Sequence, residues 1–453
     1  MTLELKDKNV LVLGLGDTGL SALRWLKSQG ARLSVADTRE APPSLDVLKR
    51  ELPEVTTHLS AFKNSTFIQP DLIVISPGVP LATSQVQTAI ARGIPVVGDV
   101  ELFAQHRTKS AKVIAITGSN GKSTVATLVG EMCKNAGLKT IVAGNIGLPV
   151  LDTLAMETPD VYVLELSSFQ LETTSSLNAD SATVLNISED HLDRYESLAQ
   201  YAAAKARIFK GSGIQVLNRQ DDFSRNMALS ARTQLSFGLD SPITQHDFGI
   251  THQHLAHGSK QLMAISKLKI VGSHNAANAL AALALCHSIQ LEYDPLLNTL
   301  SQFKGLQHRV EWVTEIHGIT FYDDSKGTNV GATCAALAGL PQKVVLIVGG
   351  EGKGQDFSPL KPAVTDNARA VVLLGRDAQL IATALEDCGV PLINVSTIEE
   401  AVQQSYQAAQ TGDAVLLSPA CASFDMFRNY QHRAESFIAA VRELEQTERR
   451  VAA

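Results

Sequence analysis

Short apolar runs alternate along this chain with longer segments in which apolar residues recur every three or four positions. The runs are typical of buried parallel strands, and the periodic segments are typical of amphipathic helices that cross between them. The alternation therefore predicts an α/β fold built on mostly parallel sheets. Strands are predicted at residues 9–14, 33–37, 71–75, 93–98, 114–117, 161–165, 182–186, 319–323, 343–348, 370–375 and 414–418, and short strands and turns are predicted from about residue 215 to residue 270.

The length of the chain indicates more than one domain, because 453 residues exceed one ordinary domain. We predict three domains, at residues 1–100, 101–305 and 306–453. The first and the last are expected to be Rossmann-like α/β domains. The central one is expected to carry a P-loop-type nucleotide site on a mostly parallel sheet.

The composition and charge of the chain argue against several classes of binding partner. The chain is 45% hydrophobic and 19% charged, and its net charge of −7 provides no basic surface for nucleic acid or for a membrane. Five cysteines are scattered without a C-x-x-C pair, which argues against disulfides and against a thiolate zinc site. The N-terminus lacks an apolar signal core, and the apolar stretch 276–285 is too short to span a bilayer. We therefore expect a cytoplasmic protein that binds small molecules, with no nucleic-acid partner and no membrane insertion. We also expect a monomer, although none of these features bears on the oligomeric state.

A glycine-rich turn follows the first predicted strand. Gly14, Gly16 and Gly19 form the pattern G-x-G-x-x-G before a helix, and Asp37 ends the next strand. Asp37 lies where a dinucleotide-binding fold places its ribose-binding acid, so the simplest interpretation is NAD. The pattern is equally compatible with another pyrophosphate nucleotide.

A second glycine-rich turn lies at 114–124 and is the strongest signal for a phosphate site. Glycines at 118 and 121 allow backbone N–H groups to face an anion at the start of a helix. Lys122 can reach a terminal phosphate, and Ser123 or Thr124 can meet Mg²⁺. Two residues separate the glycines where the usual P-loop has four, so an ordinary strand-turn-helix corner is the alternative. We interpret the turn as an ATP site.

Polar residues follow the ends of the next strands. Glu165 ends one strand and His191 follows another, and both are candidate Mg²⁺ ligands because ligands gather at the carboxyl ends of parallel strands. A histidine in a polar loop is more often simply solvated, and Lys205 by itself is typical of a helix surface. Asn275 and Asn278 share a helical face and can bind a base or a ribose, although Asn275 can instead cap the helix.

The last third of the chain carries similar signals. Arg309 follows a short polar connection and can reach a phosphate. Residues 323–328 end a strand in acids, a lysine and hydroxyls, and Lys353 and Ser423 follow two further strands. These strand ends predict one shared pocket. For Lys326 and Lys353, a surface position is the competing interpretation.

Six separate motifs, taken together, resemble the Mur ligase family. They occupy residues 117–124, 164–172, 189–195, 274–280, 324–329 and 418–423, and their order matches the family from end to end. The last two motifs, with 14–19 and 37–39, resemble the family members that add D-glutamate to UDP-N-acetylmuramoyl-L-alanine. The resemblance covers nearly the whole chain, and its specificity comes from the number of motifs in sequence.

The resemblance implies an ATP-dependent ligase of peptidoglycan precursor synthesis. The substrate carboxylate would attack the γ-phosphate of ATP, and the amine of D-glutamate would then attack the acyl phosphate. The implied cofactors are ATP and two Mg²⁺ ions, with Lys205 carbamylated. The first domain would then bind UDP, and NAD becomes the second choice.

The resemblance also implies roles for individual residues. The catalytic residues would be Lys122, Glu165, His191 and Lys205, and the Mg²⁺ ligands would be Ser123, Glu165, His191 and Lys205. The ATP contacts would be Gly118, Ser119, Asn120, Gly121, Lys122, Ser123, Thr124, Asn278, Arg309 and Asp324. The UDP-muramoyl-alanine contacts would be Gly16, Asp17, Thr18, Thr38, Arg39, Gly78, Asn145, Ser167, Gln170 and His191. The D-glutamate contacts would be Lys326, Thr328, Lys353, Ser423, Phe424 and Tyr430.

Three positions depart from the family pattern. Glu351 stands where aspartate is expected, Gly327 where alanine is common, and Phe424 where leucine is usual. None of these changes removes a reactive group.

Two other functions remain as alternatives: a sister ligase that adds a different amino acid, and a nucleotide-binding regulator without catalysis. The candidate metal ligands argue against the regulator.

Overall fold

The computed structural model describes residues 3–191 and 194–452. Leu192 and Asp193, which belong to the predicted motif 189–195, lie outside the described residues. The described strands form three sheets of five, nine and six strands. Most neighbouring strands are parallel, so the predicted α/β class is confirmed.

The first sheet is wholly parallel and has the order β3-β2-β1-β4-β5. Its strands are β1 (Asn9–Leu13), β2 (Arg32–Asp37), β3 (Thr56–Leu59), β4 (Leu72–Ile75) and β5 (Val96–Val97). Its helices are α1 (Asp17–Ser28), α2 (Leu45–Glu51) and α3 (Ser84–Ala91), and α4 (Asp99–His106) follows β5. Alternate residues of β1 enter two different cores, Val10 and Val12 on one face and Leu11 and Leu13 on the other. A strand covered on both faces is apolar at nearly every position, which is why β1 was predictable.

The second sheet has the order β14-β13-β12-β11-β10-β9-β6-β8-β7. Its first strands are β6 (Lys112–Thr117), β7 (Thr140–Gly144), β8 (Val161–Glu165), β9 (Ser181–Val184) and β10 (Ile214–Asn218). Four more follow: β11 (Gln234–Phe237), β12 (Asp247–Thr251), β13 (His254–His257) and β14 (Lys260–Ala264). Its helices are α5 (Lys122–Asn135), α6 (Ser168–Glu172), α7 (Leu198–Ala206), α8 (Asp222–Asn226), α9 (Ser273–Ser288) and α10 (Tyr293–Gln302). Only β13 and β14 run antiparallel to their neighbours within the described part of this sheet.

The third sheet has the order β15-β16-β20-β17-β18-β19. Its strands are β15 (Glu311–Ile316), β16 (Ile319–Asp323), β17 (Val344–Val348), β18 (Ala368–Leu373), β19 (Leu392–Asn394) and β20 (Ala414–Leu417). Its helices are α11 (Val330–Gly339), α12 (Leu360–Asn367), α13 (Ala378–Ala384), α14 (Ile398–Ala408) and α15 (Tyr430–Ala452). The pair β15 and β16 is antiparallel, and the other pairs are parallel.

Outside the region 215–270, where only short strands without individual positions were predicted, four described strands were absent from the prediction: β3, β7, β15 and β19. Each lies at an edge of its sheet and exposes part of its surface. An edge strand that faces solvent needs no continuous apolar run, so the sequence pattern does not mark it. The α-helix that carries Lys205 ends at Ala206, and residues 207–209 form a 3₁₀ turn. Among the described helices, none has both the length and the apolarity needed to cross a membrane.

Candidate active site

The glycine-rich turn after β6 has the predicted strand-turn-helix geometry. Gly118 has φ 152° and Gly121 has φ 83°, values that favour glycine. A Cβ at Gly121 would lie 2.5 Å from Oδ1 of Asn278, so a larger residue would displace that side chain. The helix α5 begins at Lys122 without a side-chain cap, which leaves N–H groups at its N-terminus available to an anion. We call residues 118–124 the cradle.

Two lysine ammonium groups donate to one backbone oxygen of the cradle. Lys122 Nζ lies 2.9 Å from the carbonyl oxygen of Gly118 and 2.9 Å from that of Ser119. Lys205 Nζ lies 2.9 Å from the same Gly118 oxygen and 3.3 Å from Oγ1 of Thr117. Lys205 is 1% exposed, so its interpretation as a helix-surface lysine is wrong.

Among the described residues, neither of these two lysines has a bonded acid that would offset the free-energy cost of burying its charge. Burial lowers the pKa of Lys122, although the charges of Glu165 and Asp190 act in the opposite direction. Burial, followed by the repulsion from Lys122, lowers the pKa of Lys205 well below its usual value. Within the described ranges, neither ammonium forms a salt bridge. Burial therefore disfavours the charged form of both lysines, and a bound phosphate would favour it.

Glu165 ends β8 beside the cradle. Its Oε1 accepts a hydrogen bond of 2.7 Å from Nδ2 of Asn145, while its Oε2 is buried without a partner in the described structure. A buried, unpartnered carboxylate oxygen is costly unless it binds a cation. Glu165 therefore fits the predicted role of a Mg²⁺ ligand. The amide of Asn145 orients this carboxylate.

The loop after β9 brings Asp190 and His191 to the same region. Asp190 Oδ1 lies 2.8 Å from Nζ of Lys353, and its Oδ2 lies 3.6 Å from Nε2 of His191. Burial alone would raise the pKa of Asp190, but Lys353 and His191 lower it below its usual value. Burial lowers the pKa of His191 to about 4, so its imidazole is neutral at pH 7 and can bind a metal.

Asp37 is not available to a ribose. Its carboxylate accepts a hydrogen bond of 2.7 Å from the N–H of Leu15 and bonds of 2.7 and 2.9 Å from the guanidinium of Arg39. Burial by itself would raise the pKa of Asp37, but the bonds from Arg39 lower it. This pairing removes the main support for NAD. The neighbouring positions Gly16 and Gly78 border open space, since a Cβ at either would meet no atom within 4 Å.

Two residues predicted in the muramoyl-alanine channel also shape the backbone. The Ser167 hydroxyl accepts a hydrogen bond of 3.2 Å from the N–H of Gln170, and Gln170 Oε1 accepts one of 3.1 Å from the N–H of Ser167. This reciprocal pair is a capping box at the start of α6. Both residues lie directly after β8, so they position the segment that follows Glu165.

A cavity of about 560 Å³ opens beside the cradle, between the second and third sheets. Predicted ATP contacts line it, and so do several residues that were not predicted. Asn275 does not cap α9, because Gly272 is the cap residue and Asn275 Nδ2 instead donates to the Val271 carbonyl oxygen at 2.7 Å. The lining includes Asn120, Gly121, Thr124, Asn275, Asn278, Arg309, Trp312 and Asp324.

Arg309 and Asp324 face this cavity from the third domain. The Nε of Arg309 is buried without a hydrogen-bond partner in the described structure, which suits a residue that meets an anionic ligand. Asp324 accepts a hydrogen bond of 2.7 Å from the hydroxyl of Ser418. Burial raises the pKa of Asp324 to about 7, although the charge of Arg309 acts in the opposite direction.

The residues predicted to hold D-glutamate differ in their burial and in their contacts. Lys326 Nζ lies 3.3 Å from the hydroxyl of Ser123 and 5.4 Å from the ring centre of Tyr430, and Lys353 is paired with Asp190. Neither lysine is a free surface charge. Ser423 is buried, whereas Phe424 is 70% exposed. Thr328 lies shortly after Lys326 in the sequence and just before α11.

Sequence reasoning missed two residues that join the domains. Asp190 stands next to His191 inside a motif that was recognised, but nothing in the motif indicates its pairing with Lys353, 163 positions later. Asn329 donates hydrogen bonds to Asn120 at 3.1 Å and to Asp190 at 3.3 Å. Its position as the cap of α11 was a readable signal, since asparagine before an apolar segment favours a helix start.

Comparison with known proteins gives matches along the whole chain. The model of the MurD-like N-terminal domain of Mur ligases matches residues 8–98. The Mur ligase middle domain matches residues 116–286, and the glutamate ligase domain of Mur ligases matches residues 308–421.

Individual relatives are similar over nearly their full length. The chain is 63% identical over 450 residues to the UDP-N-acetylmuramoylalanine–D-glutamate ligase of Methylobacillus flagellatus, covering 98% of this chain and 99% of the relative. It is 56% identical over 462 residues to the enzyme of the same name from Thiobacillus denitrificans, covering 98% of each. The solved structure of UDP-N-acetylmuramate-alanine ligase from Thermotoga maritima has a TM-score of 0.60 at 19% identity, over 96% of this chain and 99% of that one. The last match is a likeness of fold.

The buried carboxyl of Asp324 generates a prediction about stability and pH. Its pKa of about 7 exceeds the ordinary value of 3.8, so between these values the folded state holds a proton that the unfolded state lacks. The free energy of unfolding therefore falls as pH rises through this window. Asp324→Asn keeps an oxygen for Ser418 and has no proton to lose. We expect its melting temperature to exceed that of the wild type by roughly 5 °C at pH 8.

The measurement is calorimetric melting of both proteins between pH 5 and pH 8. The difference between variant and wild type should grow with pH. Asp366→Asn, at an exposed aspartate of the same domain, is the matched control and should show no such trend. A pH-independent difference for Asp324→Asn would contradict the elevated pKa.

Proposed function

This chain belongs to the Mur ligase family and adds D-glutamate to UDP-N-acetylmuramoyl-L-alanine with ATP as the energy source, and we propose how its residues share that reaction. The observation that carries the proposal is the pair of lysines, Lys122 and Lys205, that donate to the cradle, together with a buried oxygen of Glu165 that has no partner in the described structure. Such a site fits a triphosphate together with a divalent cation. The reaction belongs to peptidoglycan precursor synthesis, and we place it in the cytoplasm.

The reaction needs ATP because a carboxylate is a poor electrophile. The L-alanyl carboxylate attacks the γ-phosphorus of ATP, the bond to the bridging oxygen breaks, and ADP leaves. The amine of D-glutamate then attacks the carbonyl carbon of the acyl phosphate and expels inorganic phosphate. Negative charge accumulates around the transferred phosphoryl group in the first step. Lys122 lies where it can offset that charge without moving far from the cradle.

We assign the metal ligands to two groups. Ser123 and Glu165 would hold one Mg²⁺, and His191 with Lys205 would help hold a second. The ions would offset charge on the phosphates and hold them in line for attack. The free Oε2 of Glu165 and the neutral imidazole of His191 fit this role.

Lys205 can serve as a metal ligand only in a modified form, because its ammonium is a cation. A carbamate forms when the ammonium loses one proton and the neutral amine then attacks carbon dioxide and releases a second proton, so that an anion takes the place of the cation. The support is its location, buried on the cradle without a salt bridge in the described structure. The same anion would relieve the repulsion between Lys205 and Lys122.

The substrates then divide among the three domains. We propose that residues 1–100 bind UDP through the turn at Gly16, Asp17 and Thr18 and through Thr38 and Arg39. Residues 101–305 would bind ATP and the muramoyl-alanine carboxylate. Residues 306–453 would bind D-glutamate through Lys326 and Lys353, with hydroxyl groups from Thr328 and Ser423 and the rings of Phe424 and Tyr430. Two cations suit the two carboxylates of D-glutamate. We expect the chain to act as a monomer.

The first test compares amines in one assay. Purified protein with ATP, Mg²⁺ and UDP-N-acetylmuramoyl-L-alanine should release inorganic phosphate with D-glutamate, and should release far less with L-glutamate or a diamino acid. Release with the diamino acid alone would move the protein to a sister activity. Absence of release with every amine would favour a regulator that binds nucleotide without catalysis.

The second test removes the cation of the cradle. Lys122→Ala should lower kcat by roughly two to three orders of magnitude, because it removes a preorganised partner of the transition-state charge. Steady-state ADP formation measures the effect. Lys134→Ala, at an exposed lysine of the same helix, is the matched control and should leave kcat unchanged. Near-normal turnover of Lys122→Ala would reject the cradle assignment.

The third test addresses the carbamate. Lys205→Ala should be nearly inactive, and millimolar short-chain carboxylic acids should restore part of its activity by supplying the missing carboxylate to the metal site. Lys210→Ala, at an exposed lysine nearby, should be active with or without the acids. Failure of rescue at every concentration and chain length would count against the carbamate and would leave the ligase assignment standing.

A further inference from the structure

One neutral side chain connects the third domain to the cradle. Asn329 is the cap residue of α11 and is 3% exposed. Its amide reaches Asn120, between the two cradle glycines, and Asp190, in the loop after β9. These partners lie 209 and 139 positions away in the sequence. The contacts therefore exist only while the middle and third domains are docked.

All the hydrogen-bonding capacity of the Asn329 amide is used. Its Oδ1 accepts from the N–H of Ala332 at 2.8 Å and from Asn120 Nδ2 at 3.2 Å. Its Nδ2 donates to Asn120 Oδ1 at 3.1 Å and to Asp190 Oδ2 at 3.3 Å. An amide oxygen accepts two bonds and its NH₂ group donates two, so the set is complete. A flipped amide would place donor against donor at Ala332, which fixes the orientation.

The partner Asn120 is itself held firmly. Its N–H donates to Asn186 Oδ1 at 2.8 Å, and its carbonyl oxygen accepts from Asn186 Nδ2 at 3.1 Å. Its side chain also donates to the hydroxyl of Ser188 at 3.2 Å. A Cβ at Gly331 would lie 2.9 Å from that hydroxyl, so the start of α11 packs closely on this part of the cradle. The amide pair thus joins two well-fixed elements.

We propose that Asn329 is a positioning residue whose paired hydrogen bonds with Asn120 set how the third domain docks on the cradle. The inference rests on the proposed ligase reaction, because docking places Lys326 and Lys353 against the middle domain. Lys326 lies three positions before Asn329 and reaches Ser123, and Lys353 pairs with the same Asp190 that Asn329 contacts.

The amide pair is better suited to this role than the two lysines are. A lysine ammonium sits on a flexible stem and can keep its bond over a range of domain positions. The two reciprocal bonds between planar amides need both groups in one relative orientation. A role as helix cap alone would use only the bond from Ala332, and it would leave the other three bonds without a purpose.

The test separates the interdomain contact from the cap. Asn329→Ser keeps a side-chain oxygen that can cap α11, but its hydroxyl cannot form the amide pair. Thr397→Ala is the matched control, because Thr397 caps α14 in the same domain and lies outside the proposed site. Steady-state kinetics with ATP, UDP-N-acetylmuramoyl-L-alanine and D-glutamate provide the first readout.

We expect Asn329→Ser to lower kcat by roughly 10- to 100-fold, since small misplacements of reacting groups have effects of this size. The KM for the UDP substrate should change less than about twofold, because the first domain binds the uridine end. Thr397→Ala should leave kcat and both KM values unchanged. A kcat for Asn329→Ser within about twofold of wild type, or equal effects of the two variants, would overturn the proposal.

A double-mutant cycle tests the pair itself. If Asn120 and Asn329 act together, the double variant Asn120→Ala/Asn329→Ala should lose no more activity than the worse single variant. Multiplicative losses would overturn the pairing. Circular dichroism checks that the variants fold, and Asn329→Asp, which keeps a cap oxygen and loses both donors, replaces Asn329→Ser if the serine variant does not fold.

A last readout does not depend on catalysis. Small-angle X-ray scattering in the presence of ADP should give a larger radius of gyration for Asn329→Ser than for the wild type and Thr397→Ala. Equal radii for all three would overturn the proposal. A wild type that forms no product with D-glutamate would instead reject the proposed function, while the scattering comparison would still decide the role of Asn329.

Discussion

The Gly118 carbonyl oxygen accepts hydrogen bonds from two lysine ammonium groups, and much of the site follows from that contact. Lys205 is buried and Lys122 is partly buried, and both donate to this one oxygen, so the repulsion between them is less screened than it would be in water. One oxygen cannot balance two cations. Glu165 and Asp190 lie near enough to affect both lysines, yet neither forms a salt bridge with them in the described structure. In the function we propose, the anionic phosphates of ATP and the carboxylates of the other substrates would offset the charge of these lysines when they bind.

The sequence predicted the structure well at positions where the fold allows only one type of residue. Buried central strands require apolar residues on both faces, so β1, β6 and β17 were predictable from the pattern alone. The cradle required glycine at two left-handed or extended positions, and the sequence has glycine at both. Edge strands such as β3 and β15 meet weaker demands, since one side faces solvent, and their sequences carry correspondingly little signal.

The parts that the sequence did not reveal depend on contacts between distant residues. The sequence around Lys205 does not indicate whether its side chain is exposed or buried, and only the family resemblance predicted a role in the site. The pairing of Lys353 with Asp190, and of Asn329 with Asn120, requires the third domain to dock on the second. Periodicity describes which face of an element is buried, but it does not describe which polar groups meet across a domain interface.

The first glycine-rich turn shows how a motif can predict a geometry without predicting its ligand. Gly14 adopts φ 89° and Gly19 packs directly against the Gly14 carbonyl oxygen, as the pattern requires. The acid that would indicate a dinucleotide is present at Asp37. Arg39, two residues later, donates to both oxygens of that acid, while its own side chain remains half exposed. Because Arg39 pairs with Asp37, the acid does not offer a free carboxylate to a ribose. In the function we propose, the exposed part of the Arg39 guanidinium would instead contact UDP, whose phosphates a cation suits.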